Sequence, residues 1–278
     1  MLEITATTRE TVRESKRDDI PGEAAKVAFY AFLSLFPLIL VTLTLTGIIG
    51  GKGAFDLIMG RIQGSLPAET AGLLEQYVRE VTDRPQPGLL SIGALLLLWS
   101  ASGAFAALGE SLNVVFDVED ERSFVRRRGI ALAFALGIGV VLLLSAVTLL
   151  AGPEIAEAAG VGGAWTIMQW PVVFALIALV LYATYRFLPA PQPRVRRSQR
   201  IVGSFAGAVL WVGATALFRF YVSNFGSYAK TYGAIGAVIV LMLWLMISAA
   251  VVLVGGEITM AMARRKTGHT RAPRPSYA

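Results

Sequence analysis

The sequence predicts an all-α membrane protein, a polytopic bundle of six transmembrane helices. Of its 278 residues, 55% are hydrophobic and only 16% are charged, whereas about 25% of the residues of a soluble domain are charged. Six stretches without Asp, Glu, Lys or Arg each reach the roughly 18 residues that a helix needs to cross a hydrocarbon core. The predicted spans are about residues 27–50, 88–109, 129–152, 164–187, 201–219 and 233–257.

The basic residues indicate the orientation of these spans. If both termini lie on one side of the membrane, that side carries 19 of the 25 Lys and Arg residues and the other side carries 6. The positive-inside rule therefore predicts that both termini are cytoplasmic. Residues 1–20 are predicted to form a cytoplasmic N-terminal segment without a cleavable signal peptide. Residues 264–278 are predicted to form a disordered, basic cytoplasmic tail.

Span one contains a proline well inside its apolar stretch. At Pro37 the helix loses one backbone hydrogen bond, which frees the carbonyl of Leu33 and predicts a kink. In lipid, a neighbouring helix or a hydroxyl such as that of Ser34 must satisfy the freed carbonyl. The kink is either a packing feature or a moving hinge, so Pro37 is a candidate hinge.

Two connections between spans have a predicted form. The long loop after span one carries an apolar helical stripe, which predicts an amphipathic helix on the outer surface; the stripe consists of Leu73, Leu74, Tyr77, Val78 and Val81. The connection after span four begins with three prolines and continues with four arginines between residues 194 and 200. That composition predicts an extended, basic cytoplasmic segment.

Span five contains two glycines in GxxxG spacing, Gly203 and Gly207. Small residues at this interval allow another helix to approach closely. The partner helix belongs either to the same chain or to a second copy. A homodimer through Gly203 and Gly207 is therefore one of two open interpretations.

The composition excludes several kinds of site. The chain has no Cys and a single His, His269 in the tail, which excludes disulfides, thiolate metal sites, histidine clusters and cysteine nucleophiles. It also lacks a Walker A loop for a nucleotide. We therefore predict no catalytic residues, no metal and no cofactor.

Ionisable residues at the cytoplasmic ends of three spans form the first candidate substrate site. Glu110 ends span two, Arg186 ends span four and Glu257 ends span six, and Asn113 follows Glu110 by one turn. A charge in hydrocarbon is costly and is usually paired or functional. We predict that both carboxylates face one hydrated vestibule, where Arg186 pairs with one of them. Snorkelling pairs at helix ends explain these residues equally well.

The segment after span five, residues 219–233, forms the second candidate substrate site because it is aromatic, hydroxyl-rich and basic. Its cations would hold a phosphate head group while its rings cover the acyl chains. The alternative is an ordinary interfacial turn with a tyrosine belt. The candidate residues are Arg219, Tyr221, Asn224, Tyr228, Lys230 and Tyr232.

Three tryptophans fall near the middle of their spans, although tryptophans are normally enriched at membrane interfaces. A buried indole N–H needs an acceptor, and nearby hydroxyls can supply one. These rings either line an internal cavity or pack against a neighbouring helix. The candidate cavity-lining residues are Trp99, Ser100, Ser102, Trp211 and Trp244.

Three basic clusters, residues 126–128, 194–200 and 264–266, are interpreted as topology determinants that contact anionic lipid. Nucleic-acid binding is disfavoured because the interleaved aromatic residues that stack on bases are missing, apart from Phe124. The predicted partners are therefore membrane lipids, especially anionic head groups.

Three segments carry a recognisable pattern: residues 28–37, residues 98–105 with 113–116 and 126–128, and residues 232–237 with 243–244 and 255–257. In this order and spacing they resemble the YihY/BrkB family of bacterial inner-membrane proteins. The resemblance covers about residues 18–263. It implies six helices, a location in the bacterial inner membrane, and a connection to serum resistance and envelope biogenesis. The family's former ribonuclease BN label does not fit a chain with one tail histidine and no membrane-proximal acidic cluster.

Two transport functions and one structural function follow from these observations. The first is a lipid translocase or facilitator for an anionic lipid. The second is a cation/proton antiporter, which needs an acid near mid-membrane, where the sequence places none. The third is a non-transporting membrane scaffold. We favour lipid transport.

Overall fold

The computed structural model describes residues 2–35, 37, 87–158, 160, 162–192, 195–225 and 227–267. All regular structure in this part of the chain is helical, which confirms the predicted all-α class. The helices are α1 (Leu2–Arg17), α2 (residues 20–35), α3 (Pro87–Phe116), α4 (Phe124–Ala158), α5 (Gly162–Phe187), α6 (Arg197–Phe225) and α7 (Ser227–Thr267). The chain divides into two compact units, Tyr30–Ala101 and Met1–Phe29 with Ser102–Ala278.

Four segments of the described helices are long and apolar enough to cross a membrane. They are Ser91–Phe116, Ile167–Phe187, Arg197–Ser223 and Val238–Arg265. They correspond to predicted spans two, four, five and six, which confirms a multi-pass membrane protein. Helix α4 runs through predicted span three. The end of span one after Pro37 and the external helix around Leu73 to Val81 lie outside the described residues, so the count of six spans stays a prediction.

The N-terminal segment is a helix that the sequence pattern did not predict. Helix α1 packs against α7, and its buried positions are Thr11, Glu14 and, just after it, Asp18. Their spacing of three and four residues places them on one helical face. Because this face is polar, hydropathy gives no sign of it. The chain turns at Asp19, whose φ is 47°, and the Asp19 carboxylate accepts a hydrogen bond from the Gly22 N–H at 3.3 Å.

Helices α6 and α7 extend further than the predicted spans. Helix α6 begins at Arg197 and ends at Phe225, and α7 begins at Ser227. The expected extended basic segment is therefore partly helical, and so is most of the expected external turn after span five. The reason is that residues 219–225 and 227–233 contain no proline and are rich in aromatic residues that a helix tolerates. Similarly, α7 continues to Thr267, into the predicted tail.

Helices α5, α6 and α7 pack closely through the two glycines of the GxxxG pair. A Cβ atom on Gly203 would collide with Thr259 Oγ1, and one on Gly207 would lie 3.1 Å from the hydroxyl oxygen of Tyr185. Tyr185 is fully buried and donates a hydrogen bond to the Val252 carbonyl at 2.7 Å. The close approach therefore occurs within one chain. A homodimer through Gly203 and Gly207 stays a prediction, and it would have to displace α7.

Pro37 lies in the unit Tyr30–Ala101. In that unit the Ser34 hydroxyl donates to the Ala31 carbonyl at 2.6 Å. The Ser34 hydroxyl therefore donates to the Ala31 carbonyl and not to the Leu33 carbonyl, the acceptor that the sequence suggests. Since most of span one beyond Pro37 is outside the described residues, its role as a hinge stays a prediction.

Candidate functional site

A buried acidic cluster lies where α1 meets α7. Glu257 of α7 is fully buried, and Glu14 and Asp18 are each 2% exposed. The groups that face the Glu257 carboxyl are the carboxyls of Asp18 and Glu14 and the guanidinium of Arg264. Within the described part of the chain, neither Glu257 oxygen accepts a hydrogen bond. A contact between two carboxyl groups becomes a hydrogen bond only when one of them carries a proton.

Ion pairs hold α1 against the C-terminal end of α7. Arg264 Nη1 lies 3.1 Å from Glu14 Oε2, and both side chains are more than nine-tenths buried. Arg265 Nε lies 3.5 Å from Glu10 Oε2. The interpretation of Arg264 as a lipid contact is therefore wrong, because its guanidinium points into the protein.

Glu110 and Glu257 have different neighbours in the structure, and the vestibule that the sequence predicts between them stays a prediction. Glu110 is exposed and lines a cavity of about 20 Å³, which has room for about one water molecule. The cavity is also lined by Asp120, Arg122 and Arg127. Arg186 is exposed too, and its guanidinium lies over the Phe187 ring at 5.4 Å.

Asn113 is part of a polar clamp that joins three segments of the chain. Its Oδ1 accepts a hydrogen bond from the Ala190 N–H at 2.7 Å, and its Nδ2 donates to Asp120 Oδ2 at 3.3 Å. Arg122 donates to both Asp120 oxygens at 2.7 Å and to the Leu188 carbonyl at 3.1 Å. The clamp thus ties the end of α3 to the α3–α4 and α5–α6 connections. The structure gives Asn113 a structural role, whereas the sequence suggested substrate binding.

The clamp makes a testable contribution to stability. The hydrogen bonds from Arg122 hold the pKa of Asp120 below its ordinary value of 3.8. Because the pKa of Asp120 is lower in the folded than in the unfolded chain, the ionised carboxylate stabilises the fold at pH values above 3.8. This stabilisation is lost as the pH falls below 3.8. We expect Arg122→Gln to lower the free energy of unfolding at pH 7 by about 1.5 kcal/mol, because it removes charge-assisted hydrogen bonds from a half-buried carboxylate. Thermal unfolding in detergent measures this loss.

The matched control for the clamp is Arg126→Gln, which removes an exposed arginine from the first turn of α4. We expect it to change the free energy of unfolding by less than about 0.5 kcal/mol. The difference between the two variants should shrink at pH 3. A difference of equal size at both pH values would contradict the electrostatic account of the clamp.

A second charged cluster lies at the beginning of α6. Arg200 is 7% exposed and donates to Gln192 Oε1 at 3.2 and 3.4 Å and to the Gln192 carbonyl at 3.4 Å. Arg186, from the last turn of α5, is close enough for its guanidinium to repel that of Arg200. Arg186 therefore lies near another cation, and it forms no ion pair with Glu110 or Glu257 in the described part of the chain. The Arg200 guanidinium is thus held against Gln192 within the chain, and its contact with anionic lipid stays a prediction.

The mid-span tryptophans differ in their surroundings. The Trp211 and Trp244 rings are 5.7 Å apart, and the Phe218 ring is 5.1 Å from that of Trp244. These contacts favour packing between α6 and α7 over a cavity lining. Trp99 is 63% exposed, and the Ser100 hydroxyl donates to the Leu96 carbonyl of its own helix at 2.7 Å. Ser102 is buried.

Of the second candidate site, the structure describes two side chains. Arg219 and Tyr221 are exposed on α6, and the Tyr221 ring lies 6.2 Å from that of Phe218. The side chains of Asn224, Tyr228, Lys230 and Tyr232 lie outside the described residues, so their part in head-group binding stays a prediction. In the described part of the chain, no three His, Cys, Asp or Glu side chains are placed to hold a metal ion.

Sequence reasoning missed the inward direction of Arg200 and Arg264, although a signal was present. Arg200 precedes Gly203, Ser204 and Gly207 at intervals of three and four residues, so it lies on the helical face that α7 covers. Similarly, Arg264 follows Glu257 by two turns of α7. Nothing in the sequence signalled Gln192 or Asp18.

This chain is similar to one family of known proteins. The family model described as virulence factor BrkB matches residues 11–278. A putative ribonuclease-like protein, YfkH, from Bacillus subtilis is 32% identical over 88% of this chain and 90% of that protein. A UPF0761 membrane protein from Pseudoalteromonas atlantica is 28% identical over 89% of this chain and 83% of its own length. One from Alkalilimnicola ehrlichii is 27% identical, and the match covers 58% of it. No solved structure matches.

Proposed function

Because the chain belongs to the virulence factor BrkB family, we propose that it is an inner-membrane protein that moves or admits an anionic lipid in envelope biogenesis. The proposal includes six spans and cytoplasmic termini, which the distribution of 19 and 6 basic residues supports. Relatives named as membrane proteins and the four apolar helical segments support the membrane location.

The observation that carries the proposal is the position of two arginines on α6. Arg200 and Arg219 are separated by about 29 Å along the helix axis, at 1.5 Å per residue. This is close to the thickness of a hydrocarbon core, about 30 Å. No charged residue lies between them. One cation therefore lies at each end of the apolar stretch of this helix, where a lipid phosphate would enter or leave a path along it.

The surface between the two arginines suits acyl chains. Val202, Phe205, Val209 and Leu217 are exposed along α6. Apolar side chains of this kind contact lipid tails at no cost, whereas the phosphate needs charged donors because its desolvation is expensive. An arginine fork binds two phosphate oxygens at once. The chain has no nucleotide-binding loop, so the proposed protein lets lipid move down its gradient unless a partner supplies energy.

We expect the protein in liposomes to accelerate transbilayer movement of a fluorescent phosphatidylglycerol. Replacing both cations of the outer mouth, Arg219→Ala with Lys230→Ala, should slow this movement roughly tenfold, because a charge-assisted hydrogen bond contributes about 1.5 kcal/mol or more. Dithionite quenching of the outer-leaflet label measures the rate.

The control for this assay is Arg126→Ala, which removes an exposed arginine from a helix outside the proposed path. Its rate should equal that of the parent. If the folded parent protein moves lipid no faster than protein-free liposomes do, the proposed function is wrong.

The second candidate function is cation/proton antiport, and the burial of Glu257 favours it. The sequence argues against antiport because it places no acid near mid-membrane. Glu257 is fully buried in α7 and faces a second carboxyl, that of Asp18. In pumps and transporters, carboxyl groups inside the membrane domain form proton relays. The antiport candidate assumes the same membrane fold, but its substrates are a proton and a small cation and not a lipid.

We propose no enzyme activity for this chain. The ribonuclease-like name belongs to the Bacillus protein. Hydrolysis of RNA needs metal ligands or a positioned general acid and base. A single histidine at position 269 and the absence of cysteine leave little for either mechanism.

A further inference from the structure

The buried guanidinium of Arg200 is held only by neutral acceptors. Its three hydrogen bonds all go to Gln192, at 3.2 to 3.4 Å. In the described part of the chain, no carboxylate lies within ion-pair distance of Arg200. Buried charges in proteins are normally paired with an opposite charge. Arg264, the other buried arginine at a helix end, has such a partner in Glu14.

A second cation lies near the guanidinium of Arg200. The guanidinium of Arg186 repels that of Arg200, and exposed Arg197 begins the same helical turn. Arg200 also lies in the first turn of α6, where the helix dipole is positive and disfavours a cation. Arg186, Arg200 and the N-terminal end of the helix dipole together form a strongly positive site.

Gln192 supplies an independent observation that points to a ligand. The residue is 6% exposed, and its Nε2 is buried without a hydrogen-bond partner in the described part of the chain. The orientation of the Gln192 amide is fixed by Arg200. If the amide were flipped, its Nε2 donor would face the N–H donors of Arg200, and no hydrogen bond could form. Nε2 belongs to the same amide as Oε1, which Arg200 contacts. The Gln192 Nε2 donor and the Arg200 guanidinium, which has no carboxylate partner in the described part of the chain, are therefore neighbours.

We infer that Arg200, Gln192 and Arg186 bind a phosphate group at the N-terminal end of α6. Donors approach from two chain segments and from a neighbouring helix, so they suit a tetrahedral anion with oxygens in several directions better than a planar carboxylate. The site lies at the end of an apolar helix that is long enough to cross a membrane. The inference rests on the proposed function and names the group of the lipid that this mouth recognises.

Binding can be measured without transport, on the purified full-length protein in detergent. A soluble short-chain phosphatidylglycerol, a short-chain diacylglycerol and inorganic phosphate are titrated at constant ionic strength, and the melting temperature is recorded. We expect phosphatidylglycerol to raise the melting temperature and diacylglycerol to leave it unchanged. A response to inorganic phosphate alone would identify a free anion as the ligand and overturn the lipid source.

Two variants and one control test the assignment of residues. Arg200→Gln should weaken phosphatidylglycerol binding at least tenfold, while Arg197→Gln, an exposed position in the same turn, should weaken it less than threefold. Gln192→Glu supplies a carboxylate to Arg200 from within the chain. It should raise the melting temperature in phosphate-free buffer and abolish the shift with phosphatidylglycerol. A structural role of Gln192 alone predicts a lower melting temperature instead.

The outcomes separate this inference from the proposed function. Unchanged phosphatidylglycerol binding in both Arg200→Gln and Gln192→Glu would overturn the inference even if lipid transport is observed. Binding that these variants abolish, in a protein that moves no lipid, would uphold the phosphate site and overturn the proposed function.

Discussion

Replacing Gly255 with valine should leave very little folded protein. The glycine lies where α5, α6 and α7 meet: a Cβ atom would collide with the Tyr185 hydroxyl and lie 3.1 Å from the Gly207 Cα. Neither neighbour can move easily, because Tyr185 is fully buried and hydrogen-bonded to Val252, and Gly207 is backbone of a packed helix. We expect a loss of about 3 kcal/mol or more in the free energy of unfolding.

Gly213→Val is the matched control for this prediction. It lies on α6, and a Cβ atom there meets no atom within 4 Å. Valine is well tolerated on a lipid-facing helix surface, so the melting temperature in detergent should stay near that of the parent. Equal melting temperatures for the two valine variants would contradict the packing described here.

The same packing allows a test of the predicted homodimer. A valine at Gly203 would collide with Thr259 Oγ1 of the same chain, so Gly203→Val should destabilise the monomer. If instead the two glycines join two copies, Gly203→Val should abolish dimers in size-exclusion chromatography and leave the melting temperature of the monomer unchanged.

The described membrane spans could be predicted well from the sequence, because a helix in the hydrocarbon core must consist mainly of apolar residues. Predicted spans two, four, five and six each coincide with an apolar helical segment, since every backbone polar group in hydrocarbon must be bonded within its own helix. Helix ends were less predictable. Residues 220–225 and 227–232 are helical although they are polar and aromatic, because outside the hydrocarbon composition no longer decides the boundary of a helix.

The candidate sites could be predicted only in part, because they depend on partners far apart in sequence. Glu257 was identified as an unusual acid, but the groups that face it, Glu14 and Asp18, come from the opposite end of the chain. Asn113 was identified too, yet its partner Ala190 lies in another connection. Hydropathy and spacing describe single helices, so they do not reveal which polar faces meet.

Glu257→Gln is the second variant with a large expected effect. Glutamine keeps the size of the side chain and adds N–H donors that can bond to the facing Asp18 carboxyl, while removing a charge that is costly to bury. We therefore expect the variant to melt no lower than the parent. If the chain is an antiporter, a site that carries protons on this carboxyl cannot work with an amide, so the variant should abolish proton flux driven by a potassium or sodium gradient across liposomes.

The control for this second variant is Glu10→Gln on α1, a less buried carboxyl that pairs with Arg265 at 3.5 Å. It should keep the flux of the parent, because Glu10 does not face Glu257. Flux retained in Glu257→Gln would show that this carboxyl does not carry the proton. A parent protein that moves phosphatidylglycerol but shows no cation-driven proton flux would remove the antiporter candidate, and Glu257 would then be a structural acid whose burial depends on α1 covering the end of α7.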